Sequence, residues 1–213
     1  MNTIFELMLL IPVLLFSLSL HEFSHGYVSY KLGDPTPQNQ GRLTLNPLAH
    51  LDFMGSLVLL ITRRFGWAKP VPINPNYYNN PRKGMMLVSV AGPAANFFLA
   101  FVFAMTGRLV VFFSANTLLQ LQQAGYGNLV QTFFVFIQLS VIINLSLGIF
   151  NLLPVPPLDG SKILRGVLPA EFDRYIRKLE GPYGMILIMI LAYTGILWSF
   201  LRPIVNTMYN ILL

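Results

Sequence analysis

Apolar residues fill four long segments of the chain, and polar residues gather between them. The segments run from Ile4 to Tyr30, Met85 to Ser114, Leu129 to Leu153 and Tyr183 to Leu201. A helix needs about 20 largely apolar residues to cross a bilayer core, so each segment predicts a transmembrane helix. A fifth run, Leu51–Thr62, is too short to span and predicts a re-entrant or interfacial helix. Ahead of it, Arg42-Leu43-Thr44-Leu45 alternates polar and apolar residues, the period of a short strand. The expected fold is an all-α polytopic membrane protein: one domain over residues 1–213, about four transmembrane helices, and a small strand element in the first polar loop.

Charge orients these helices. Lys31, Arg42, Arg63, Arg64, Lys69, Arg82 and Lys83 fall between the first and second segments. Lys162, Arg165, Arg174, Arg177 and Lys178 fall between the third and fourth. Only Arg108 and Arg202 lie towards the other side, and the expected loop Ala115–Asn128 carries no charge. The positive-inside rule puts both basic loops in the cytoplasm and both termini across the membrane from it. The net charge of +6 thus follows topology, and no nucleic-acid partner is expected. Charged residues make up 10% of the chain, against about 25% in soluble proteins, and mean hydropathy is +0.61. The first apolar run lacks a basic leader, so it reads as a retained helix and not as a cleaved signal.

No cysteine is present, which excludes disulfides and thiolate metal sites. His, Asp and Glu are left as strong ligands, and the chain has three His and eight acidic residues in all. Two of the histidines stand in His21-Glu22-Phe23-Ser24-His25, at the end of the first apolar run. Positions i and i+4 share a helix face, so His21 and His25 can grip one zinc ion. Glu22 can then take a proton from water at the metal. Lys31 lies ten and six residues on, roughly 15 and 9 Å along the helix, which sets the motif in the cytoplasmic half of the bilayer. Ionisable groups at that depth are costly and read as functional.

A partner ligand should come from similar depth. Asn151-Leu152-Leu153-Pro154-Val155-Pro156-Pro157-Leu158-Asp159-Gly160 follows the third segment, and its prolines break the helix on the same side. Irregular backbone at membrane depth is tolerated only where protein buries it or it lines a wet cavity. Asp159 would complete a two-histidine, one-carboxylate site with an open fourth position. Its other reading is a helix N-cap, and His50 is the rival third ligand. Ser17, His21, Ser24 and His25 share one face, which lines either a water path or a helix interface. Ser89, Gly92 and Asn96 form a second small, polar stripe, and Ser140, Asn144 and Asn151 a third. Helix packing accounts for Ser89, Gly92 and Ser140.

The HExxH on a first helix and the NxxPxxPLDG near the end of the chain resemble the site-2 protease family of intramembrane zinc metalloproteases. Ala91-Gly92-Pro93-Ala94-Ala95-Asn96 is similar to that family's GPxxN segment. Lys31–Leu51 and Gly66-Trp67-Ala68-Lys69-Pro70-Val71-Pro72 resemble its short bacterial branch. The resemblance implies zinc bound by His21, His25 and Asp159, with Glu22 as general base. It implies that Asn151 holds the scissile carbonyl or its oxyanion and that Asn96 contacts the substrate or the site. It also implies transmembrane protein substrates, a lipid bilayer setting and a bacterial inner or plasma membrane. The alternative is a non-catalytic membrane scaffold or chaperone that retains a zinc site. One departure is visible: Asp52-Phe53-Met54-Gly55 lacks the Pro that relatives often place after the Asp, which bears on the shape of residues 51–62.

Overall fold

A computed structural model describes residues 3–62, 66–173 and 182–213. Five of the basic residues used to orient the chain, Arg63, Arg64, Arg174, Arg177 and Lys178, lie outside that range.

The first helix, α1, spans Thr3–Lys31, within a residue of the expected segment. After a single turn at Thr36–Asn39, the chain enters the short helix α2, Phe53–Thr62. At 1.5 Å per residue α2 is about 15 Å long, too short to cross a membrane. Asp52 caps it by accepting the Gly55 N–H at 2.7 Å, so the missing proline does not prevent the helix. The chain then returns: Leu51 bridges Ala68, and the Lys69 N–H reaches the His50 carbonyl at 2.9 Å.

Helix α3, Pro81–Leu121, is longer than expected. It starts at Asn80, whose side chain accepts the Lys83 N–H. It leaves helical geometry at Ser114 (φ −126°, ψ 16°), where the apolar segment was expected to end. It then resumes, so most of the expected Ala115–Asn128 loop is helical. A π-turn at Gln122–Tyr126, with Gly125 at φ 92°, leads into α4, Gly127–Asn151. The two long helices run antiparallel: Asn96 bonds Asn144, and Gly107 lies against Ile137.

Two further expectations need correction. No strand forms among the described residues: the Thr44 carbonyl in Arg42–Leu45 accepts the His50 side chain, and the one bridge joins Leu51 to Ala68. The fourth apolar segment is also not one helix. Gly195, at φ 80°, divides it into α6, Pro182–Tyr193, and α7, Ile196–Leu212, which meet at 74°. Between α4 and α6 lies α5, Asp159–Val167.

The core sits where three helices meet. Ala100 and Ala104 of α3, Val141, Leu145 and Ile149 of α4, and Leu197, Leu201 and Val205 of α7 interlock at one-turn spacing. Small residues on α3 allow the close approach that membrane helices use in place of a hydrophobic drive. Outside this core, Phe98, Phe112, Phe113 and Ile190 are exposed. Met8–Lys31 and Pro81–Asn151 are each long and apolar enough to cross a membrane, and the bent α6–α7 pair adds up to one more span. Exposed apolar side chains on such helices fit an all-α integral membrane protein.

Candidate metal centre

Three elements meet at the motif. α1 carries His21 and His25 on one face, and α3 packs against that face through Gly92. A Cβ on Gly92 would stand 2.5 Å from the His25 ring and 2.6 Å from the His21 ring, so only glycine admits both imidazoles. Asp159 arrives at the first residue of α5. The loop before it folds tightly over the end of α4, where a Cβ on Gly160 would stand 2.2 Å from the Leu152 carbonyl.

The three donors converge. His21 Nε2 lies 3.2 Å and His25 Nε2 3.1 Å from Asp159 Oδ2, and the two Nε2 atoms are 3.0 Å apart. All three side chains are buried. Asp159 makes no capping bond to its own helix; its oxygens face the histidines and Lys162 Nζ, the latter at 3.5 Å. His50 stays apart, held between the Thr44 carbonyl and Arg42.

The outer nitrogens fix the tautomers. His21 Nδ1 donates to Asn96 Oδ1 at 2.6 Å, and His25 Nδ1 donates to the Val88 carbonyl at 2.7 Å. In the neutral imidazoles, the form that binds a metal, each Nε2 is then left with a lone pair. Three acceptor atoms facing one another at about 3 Å repel unless a cation lies among them. A tetrahedral zinc with arms of about 2.0–2.1 Å sets its ligands about 3.3–3.4 Å apart. The triangle of donors fits such an ion, and the imidazole–carbonyl bonds are the supporting shell that metal-bound histidines use.

Asn96 does not face an open space. It is fully buried and donates through Nδ2 to Asn144 Oδ1 at 3.0 Å, while Asn144 donates to Ser17 Oγ at 2.9 Å. The Ser17 end of the polar stripe on α1 is thus an interface with α3 and α4. Asn151 donates to Leu147 O within its own helix at 3.0 Å and makes no hydrogen bond to the donor cluster among the described residues. Glu22 accepts the Val71 N–H through Oε2 at 2.9 Å, and Oε1 has no partner among the described residues.

Sequence reasoning assigned Gly92 to packing and did not single out Val71. The spacing of Ser89, Gly92 and Asn96 marks a contact face, but it does not say that imidazoles pack there. Pro70-Val71-Pro72 confines the donors of its segment to the one N–H of Val71, a signal that spacing rules do not weigh.

A family model, Peptidase family M50, matches residues 9–193. The chain is 41% identical over 197 residues to YwhC of Bacillus subtilis, covering 92% of this chain and 85% of that one. It is 32% identical over 193 residues to Rip2 of Mycolicibacterium smegmatis, covering 87% and 68%. Both relatives are provisionally named as zinc metalloproteases. The zinc metalloprotease MJ0392 of Methanocaldococcus jannaschii is 27% identical, covering 92% of this chain and 45% of its own. No solved structure matches the chain significantly.

Proposed function

The chain belongs to peptidase family M50, the site-2 protease family, and we propose that this zinc metalloprotease hydrolyses peptide bonds in or near the transmembrane segments of other proteins. In this reading residues 1–213 form one catalytic domain. His21, His25 and Asp159 hold the zinc, Glu22 is the general base, and the chain lies in a bacterial inner or plasma membrane. The basic loops face the cytoplasm, and both termini lie on the other side. The four expected spans are kept in revised form: α1, α3 and α4 cross, and the bent α6–α7 pair replaces the single fourth helix.

The observation that carries the reading is the triangle of His21, His25 and Asp159 between apolar helices. When bound there, zinc supplies a Lewis acid that polarises a carbonyl and lowers the pKa of water towards about 7. The chain supplies the rest. Asn96 and the Val88 carbonyl hold both imidazoles in the ligating tautomer. Glu22, with Oε2 engaged by Val71, takes the water proton on Oε1 and returns it to the leaving amine. Asn151 has a second amide hydrogen to offer the developing oxyanion, a contact strongest in the transition state. Asn96 serves as the support of His21.

The test compares wild type with Glu22→Gln on a defined transmembrane substrate in detergent, with zinc assayed in both. Zinc in both and cleavage only by wild type is expected. Equal cleavage by the two would remove Glu22 from the chemistry.

A further inference from the structure

We infer that Arg42 and His50 are positioning residues that aim the Glu22 carboxylate through the Lys69–Val71 segment; the inference rests on Glu22 being the general base. Neither residue belongs to the metal cluster, yet both are buried, at 7% and 2% exposure.

The chain of contacts is continuous. His50 Nε2 donates to the Thr44 carbonyl at 2.8 Å, which leaves Nδ1 as an acceptor for Arg42 Nη2 at 3.5 Å. Arg42 Nη2 also donates to the Lys69 carbonyl at 2.7 Å, and the Lys69 N–H donates to the His50 carbonyl at 2.9 Å. Lys69 is therefore held at both of its backbone polar groups by the same pair of residues. Two residues further on, the Val71 N–H meets Glu22 Oε2.

The intervening chain is stiff. Pro70 and Pro72 fix their own φ angles and restrict the residues before them. They also have no N–H, so Val71 is the sole donor of the triplet. Its side chain is buried over Gly26, where a Cβ would stand 3.1 Å from Val71 Cγ1. A fixed anchor at Lys69, a rigid triplet and a seat on α1 together set where the donor points.

Arg42 is a costly choice for mere stability. Among the described residues it forms no ion pair, and its buried Nε has no hydrogen-bond partner. A buried polar atom left unpaired is destabilising, and an apolar side chain of similar volume fills such space without that cost. Retaining the guanidinium is explained by its geometry, which grips Lys69 and His50 at once.

The experiment measures kcat, KM, zinc content and hydrogen exchange on Arg42→Gln and Glu22→Gln beside wild type. Peptides covering residues 70–72 report one backbone amide, that of Val71. In Arg42→Gln, kcat should fall at least about tenfold, since small displacements of a catalytic group are costly. The Val71 amide should exchange at least about tenfold faster. KM and zinc content should hold near the wild-type values, which a generally loosened fold would not do. Should Arg42→Gln fail to fold, Val71→Pro removes the donor itself and should lower kcat in the same way. Wild-type kcat in the folded variant, or a raised KM with kcat intact, overturns the inference. Cleavage by Glu22→Gln would instead overturn the general-base reading beneath it.

Discussion

Two buried polar clusters stand one turn apart on the same face of α1. His21 and His25 make the first, and Ser29, at the next i+4 position, starts the second. In the second cluster both carboxylate oxygens and the Ser29 hydroxyl have hydrogen-bond donors. Asp34 Oδ2 accepts Ser29 Oγ at 2.7 Å and the Asn74 N–H at 2.8 Å, and Oδ1 accepts the Thr36 N–H at 2.9 Å. Tyr78 donates to Ser29 Oγ at 2.6 Å. In the first cluster the outer atoms are satisfied in the same way, but Nε2, Nε2 and Oδ2 converge, and neutral imidazoles that donate through Nδ1 leave them no hydrogen to share. Burial alone does not mark a site, because both clusters are buried. What separates them is convergent lone pairs that only a cation can reconcile.

The sharpest way to break this contrast is Gly92→Ala. The new methyl would sit 2.5 Å from the His25 ring, against 3.4 Å or more for ordinary contact, so the imidazoles must shift by most of an ångström. Misplacement on that scale costs on the order of 10²-fold in rate, and kcat should fall accordingly. Retained kcat would mean that the imidazoles do not rest on α3.

Asn96→Ala acts one layer out. It removes the acceptor that orients His21, and losses of such supporting contacts weaken metal affinity about 10–100-fold. Zinc titration against a competing chelator reads this directly. Unchanged affinity would show that Asn96 serves packing alone.

Asp34→Ala tests the satisfied cluster. It leaves the half-buried Asn74 and Thr36 N–H groups and the buried Ser29 hydroxyl without their acceptor, a cost of about 3 kcal/mol of stability. Zinc content and kcat of the folded fraction should not change. A loss of zinc from the folded fraction would merge the two clusters into one functional unit.

The smallest effect is pH-dependent. Burial works against the Asp34 charge, but the donors from Asn74, Thr36 and Ser29 outweigh it and hold the carboxyl below its ordinary value. A group with a depressed folded pKa adds stability above its unfolded pKa, about 3.9, and loses it as pH falls through the folded value. Thermal stability should therefore drop below about pH 4 by more in wild type than in Asp34→Ala. Equal acid sensitivity would remove Asp34 from that role.

The sequence made the helices that cross the core legible, because long apolar runs leave little choice. Thr3–Lys31 and Gly127–Asn151 depart from the expected bounds by no more than two residues at either end. The misses have local causes. Gly195 takes a left-handed backbone and bends the fourth segment, and hydropathy windows ignore a glycine in an apolar run. Arg42–Leu45 alternates like a strand but has no partner strand among the described residues, and the His50 side chain takes the Thr44 carbonyl. Of the site, the order and depth of the motifs pointed to His21, His25 and Asp159, and their donor atoms lie 3.0–3.2 Å apart in the structure. The support beneath them was not legible. That Gly92 admits two imidazoles, that Asn96 turns to His21, and that Val71 reaches Glu22 depend on which helix faces meet, and one sequence does not carry that information.

Everything proposed for this chain depends on zinc sitting among His21, His25 and Asp159. X-ray absorption at the zinc edge of the purified protein tests it most directly. The expected result is about one zinc per chain, two imidazole nitrogens at about 2.0–2.1 Å and the remaining ligands oxygen. A shell of three imidazoles would contradict it, because the third could come only from His50, and so would a protein that binds no zinc.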